Sequence, residues 1–206
     1  MCYNIKYQFF GSVFMVFETE LGSTSGRRFV RAILEWLDTL VLSLFVVITS
    51  FTFFFSVVGV SGPSMENTLF DKDKLLISDF NYTPENGDIV IISRNYGNLA
   101  ADNEDNNYKM PIVKRVIAIA GQTVEIKDGS VYVDDKLIEE DYTTSETYNF
   151  EFTEKQTVPE GHIFVLGDNR KVSHDSRSSD IGMVDKRYVM GKVVARFFPT
   201  SEFTTF

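Results

Sequence analysis

Residues 39–60 read TLVLSLFVVITSFTFFFSVVGV, a run of 22 without a charge, and no other feature restricts the fold of this chain so strongly. At 1.5 Å per residue a helix over this run is about 33 Å long, against a hydrocarbon thickness of roughly 30 Å. It has no polar face to turn toward water, which argues against a helix packed on one side of a soluble core. A cleaved targeting sequence has a shorter apolar region ending in small residues, whereas this run ends in a cluster of Phe. The sequence therefore predicts a transmembrane helix over 37–60, a cytoplasmic segment over 1–36 and an extracytoplasmic domain over 61–206. Orientation comes from the flanks: Arg27, Arg28 and Arg31 precede the run, and after it Glu66, Asp71 and Asp73 offset Lys72 and Lys74. A second apolar run, residues 9–17, is too short to span a bilayer, and Met15 is an alternative start.

The formal net charge is -9. Residues 1–60 hold four basic and four acidic groups, so the whole excess lies beyond them, where 16 basic face 25 acidic. An acidic domain of this kind offers no footprint for a phosphate backbone, which disfavours nucleic-acid binding. Cys2 is the one cysteine, so neither an intrachain disulfide nor a CxxC metal pair is available.

Past residue 60 the pattern changes to short β-branched runs separated by turn signals, the mark of a mainly β domain. Strands are expected over 74–78, 88–93, 112–120, 123–127, 130–133, 162–166 and 192–198, with Asp128-Gly129 as a hairpin turn. Residues 95–107 are polar and rich in Asn and Asp, an exposed loop. Residues 139–160 are acidic and weakly patterned, like an insertion.

Three clusters carry chemistry. SGPSMENTLF, residues 61–70, puts Ser64 four peptide units from Val60, a reach of at most about 14 Å, so Ser64 is expected close to the membrane surface. PIVKRVIAIAG, residues 111–121, sets Lys114 and Arg115 in an apolar strand, where alternation turns one of the two cations inward. A lysine in that position resolves the cost of burial by losing its proton, which makes it a base near neutral pH. GDNRKVSHDSRSSDIG, residues 167–182, follows the apolar IFVL and groups short polar residues with opposite charges. His162 and His174 lack a third ligand at useful spacing, so no metal site is expected.

In this order the clusters resemble the bacterial type I signal peptidases, the S26 family of Ser-Lys serine proteases. The resemblance implies a β core with a smaller β cap, here inserted at about 122–160, and a membrane-bound endopeptidase that removes signal peptides after small residues. It implies Ser64 as nucleophile and Lys114 as general base, with Ser173 hydrogen-bonding and orienting the lysine amine. Asp168, Asp175 and Arg177 match bracing positions, with Arg115 as a partner for one of the carboxylates. Met65, with Val60 and Val113, is expected to wall the pocket for the small residue. The implied partners are signal peptides of exported preproteins, the lipid membrane and the protein export machinery, and no cofactor is implied. Two departures stand out: Asn67 replaces a proline common in the family, and Gly62 lies where some members have serine, so an oxyanion hole must rest on backbone N–H groups such as that of Ser64. The alternative reading is a catalytically silent relative serving as an assembly or pilus chaperone; such a protein should lack the serine or the lysine.

Overall fold

The computed structural model describes residues 24–93 and 111–206. The apolar run at 9–17, Cys2 and the loop expected at 95–107 lie outside them. The chain divides into two compact units, residues 1–53 and 54–206.

Helix α1 covers Thr24–Phe54, all but its last residue in the first unit. Its stretch Arg28–Phe54, which reaches a mean hydropathy of 2.0 over 18 residues, is long and apolar enough to cross a membrane. The expected end at residue 60 is wrong. Ser56–Gly59 form strand β1, paired antiparallel with β2 (Lys74–Ser78). Val57 and Val58 are β-branched and Gly59 is a poor helix residue, so once a neighbouring strand satisfies the backbone, the sheet wins over a further helical turn. Ten residues now separate the helix end from Ser64, a reach of up to about 35 Å, so connectivity alone no longer ties the serine closely to the end of the helix.

The second unit is mainly β, as the sequence leads one to expect. A large antiparallel sheet follows the order β1-β2-β11-β3-β4-β9-β10, with β12 also on β11. The further strands are β3 (Ile89–Ile92), β4 (Ile112–Ile119), β9 (His162–Leu166), β10 (Val184–Asp185), β11 (Val189–Phe198) and β12 (Thr204–Thr205). A smaller sheet has the order β7-β6-β5-β8, from Lys136–Leu137, Ser130–Val133, Thr123–Lys127 and Gln156–Thr157. Asp128 and Gly129 have φ of 50° and 75°, which makes the expected two-residue hairpin turn. Asp134-Asp135 closes a second such turn with φ of 50° and 62°. That turn is silent in the sequence because no glycine marks it.

Three apolar clusters hold these sheets. Val60, Met65 and Leu69 of the segment that follows β1 pack with Leu75 and Val113. Ile117, Phe164 and Leu166 of the large sheet meet Val124 and Val131 of the smaller one and Phe152 of the segment between β7 and β8, with the Phe152 and Phe164 rings 4.9 Å apart. A third cluster, with Val90, Val116 and Val165, closes the other side. Strand β4 is thus covered on both faces, and Lys114 is its third residue.

Candidate active site

Ser64 follows β1 on a turn tied down from several directions. Val60 N–H donates to the Asp73 carbonyl at 2.9 Å, and Lys72 N–H donates back to the Val60 carbonyl at 3.0 Å. Beyond the serine, Thr68 and Leu69 N–H both donate to the Met65 carbonyl, at 3.1 and 2.8 Å. Asn67 has φ of 90° in this turn. Asn tolerates that conformation, whereas proline is fixed near about -65°. Proline at this position would therefore require a turn of different shape.

Lys114 stands opposite Val90 on β3, at 3% exposure. Its Nζ donates to Ser64 Oγ at 2.9 Å. Burial pushes the amine down to about 8; Asp175 and Asp168 pull against this and Arg177 adds to it. Of the two cations expected to compete for the inward face, lysine takes it. Arg115, one residue on, is only partly buried and grips Asp168 with both ends of its guanidinium, Nε to Oδ1 at 2.9 Å and Nη2 to Oδ2 at 2.6 Å.

The segment from Gly167 to Arg177 backs this pair. Arg177 holds Asp175 in the same two-pronged way, at 2.8 and 2.9 Å, and both side chains are wholly buried. Asp175 accepts from Gly167 N–H at 3.0 Å. Asn169 N–H donates to the Ser64 carbonyl at 3.1 Å, and its Nδ2 donates to the Pro63 carbonyl at 3.1 Å. Ser173 is buried here, but the expected hydrogen bond to the lysine amine is not made, and the Ser173 Oγ has no partner among the described residues. The amine is turned to Ser64 instead, and the hydroxyl lies over Gly167.

Beside Ser64 opens a cavity of about 360 Å³ lined by Val57, Val60, Ser64, Met65, Ile112 and Val113. All three residues expected to wall a pocket lie on it. Three further residues of the site were not singled out by sequence: Asn169, Arg170 and Thr68. The first two stand in the Gly-Asp-Asn-Arg run and Thr68 in SMENTL. Thr68 Oγ1 donates to Asp168 at 2.5 Å across 100 positions, a pairing that spacing cannot reveal.

A model of the signal peptidase, peptidase S26 family matches residues 33–198. The chain belongs to this family. It is accordingly a hydrolase, a serine peptidase of the signal peptidase type. Signal peptidase I of Bacillus licheniformis is 32% identical over 195 residues, 89% of this chain and 97% of the relative. Signal peptidase IB of Staphylococcus aureus strain COL is 30% identical over 197 residues, 84% of this chain and 93% of the relative. A crystal structure of a signal peptidase I from Enterococcus faecalis V583 aligns at 29% identity with a TM-score of 0.41, over 54% of this chain and 97% of that one.

Gly167 offers a sharp test of how tightly the signal peptidase site is packed. A Cβ there would come closer than 3.0 Å to both Ser173 Oγ and the Ser64 carbonyl, and the latter is backbone that cannot swing aside. Gly167→Ala should lower kcat/KM by about a hundredfold or more, since misplacement of the reacting groups by an ångström is enough for that. Normal activity would mean that the Gly167 backbone does not press on the serine.

Proposed function

We propose that this protein is a membrane-anchored endopeptidase that removes signal peptides from exported preproteins, with Ser64 as nucleophile and Lys114 as general base. The observation that carries the proposal is the 2.9 Å hydrogen bond between a buried, easily deprotonated Lys114 amine and the Ser64 hydroxyl. Neutral Lys114 takes the Ser64 proton as the oxygen attacks the scissile carbonyl, then gives it to the leaving amine. Water hydrolyses the resulting ester with Lys114 again as base. The Ser64 N–H has no partner among the described residues and is the simplest donor to the oxyanion.

Substrate geometry follows from the strand before the serine. Among the described residues β1 pairs only with β2, which offers its other edge to an extended peptide. A peptide laid there brings a side chain to the cavity, where Val60, Met65 and Val113 leave room for a small group. The apolar length of α1 supports an anchor that holds enzyme and preprotein in one plane, raising their effective concentration.

Ser173 is the orienting group in this reading. A buried hydroxyl without a partner costs the resting enzyme about 1–3 kcal/mol. A bond to the lysine amine made as the proton moves recovers that cost and so favours the transition state over the ground state.

Ser64→Ala and Lys114→Ala should each lower cleavage of a preprotein by about a thousandfold or more, non-additively, with the circular dichroism spectrum unchanged. For the parent enzyme, kcat/KM should rise about tenfold per pH unit below a midpoint near 8 and level off above it, because only the neutral amine accepts a proton. A profile flat between pH ~6 and ~9 contradicts a lysine base. Ser173→Ala should lower kcat by about tenfold to a hundredfold with KM little changed and Tm no lower than the parent's. A fall in Tm with normal kcat assigns Ser173 to the fold alone.

A further inference from the structure

The acidic, weakly patterned insertion has a pattern that only the folded chain reveals: five of its residues end on three arginines. Glu140 pairs through both carboxylate oxygens with Arg170, one contact at 2.7 Å, and Thr147 bonds the same guanidinium. The Tyr142 ring lies 3.9 Å from the Arg115 guanidinium, and its hydroxyl donates to Glu140 at 2.8 Å. The Phe150 ring lies 4.6 Å from the Arg177 guanidinium, and the Tyr148 carbonyl accepts from Arg177 at 3.1 Å.

At their other ends, all three arginines hold the segment behind the serine. Arg170 Nε donates to the Gly167 carbonyl at 3.1 Å, and Gly167 abuts the Ser64 carbonyl. Arg115 grips Asp168, next to the Asn169 N–H that holds the Ser64 carbonyl at 3.1 Å. Arg177 grips Asp175, which holds Gly167 N–H. Asn67 Nδ2 reaches the Tyr142 carbonyl and Thr144 Oγ1, both at 3.4 Å, so the insertion also touches the turn that carries the nucleophile.

We propose that residues 140–150 form a strap that positions the Ser64–Lys114 pair, with Glu140 and Tyr142 as positioning residues acting through Arg170 and Arg115. This rests on the Ser-Lys reading above. Arg170 is wholly buried, so Glu140 is what makes its charge tolerable there. Burial and the adjacent Glu140 raise the Tyr142 phenol well above its ordinary value, which keeps it a donor to that carboxylate. A simple staple predicts a loss of stability alone. A strap one guanidinium away from the groups behind Ser64 predicts a loss in the chemical step.

The test uses the full chain in detergent micelles with a fluorogenic peptide, each variant assayed well below its own Tm. Glu140→Gln and Tyr142→Leu should lower kcat by about tenfold to a hundredfold with KM within about threefold. Tyr142→Phe, which keeps the ring over Arg115, should recover most of the Tyr142→Leu loss. If Glu140→Gln does not fold, the two Tyr142 variants decide the question. Unchanged kcat in Tyr142→Leu, or a rise in KM alone, overturns the proposal. Ser64→Ala in the same assay separates the two readings: if it is inactive while the strap variants match the parent, the strap alone fails, and if it is active, both fail.

Discussion

Desolvation of the Lys114 amine is the constraint on which the rest of the structure depends. An exposed lysine is a cation at neutral pH and cannot take a proton from serine. Burial on β4, with apolar clusters on both sides of the strand, lowers the amine to about 8. That burial needs a strand with neighbours on both edges, which β3 and β9 supply. It also needs the serine brought over the amine from elsewhere in the chain, which the turn after β1 does. The large sheet is thus the device that keeps one amine dry and one hydroxyl against it.

Charge around the lysine is balanced closely. Asp175 and Asp168 favour the protonated amine, Arg177 opposes it, and burial outweighs them. Were the two carboxylates left unpaired, each would be a buried anion of high cost, and both would hold the lysine protonated. The two-pronged grip of Arg115 and Arg177 removes the first problem and blunts the second. The same arginines fix the segment from Gly167 to Arg177, so electrostatics and geometry are set by one group of side chains.

Much of this was legible from local pattern. Alternation around Lys114 points to an inward cation, turn residues delimit most strands, and the Ser-Met and Gly-Asp-Asn-Arg clusters mark the segments that the fold brings to Lys114. The end of α1 is hidden in the sequence because residues 56–60 continue the uncharged apolar run of the helix before them. Hydropathy cannot distinguish a helix from a strand whose partner lies some 20 residues on. The Asp134-Asp135 turn and the Thr68–Asp168 bond were hidden for related reasons, the first lacking glycine and the second joining distant positions. The state of the Ser173 hydroxyl is a matter of rotamer and packing, which no motif encodes. The insertion at 139–160 is weakly patterned because five of its residues answer to three arginines elsewhere in the chain.

The most direct measurement is the titration of Lys114 itself. Lysine labelled with 13C at Cε reports ionisation by NMR, and the Lys114 signal is the one missing from the Lys114→Ala spectrum. A midpoint near 8, against about 10.4 for ordinary lysines, is the predicted result. A Lys114 that titrates near 10.4 with the rest contradicts the claim that burial makes it the base.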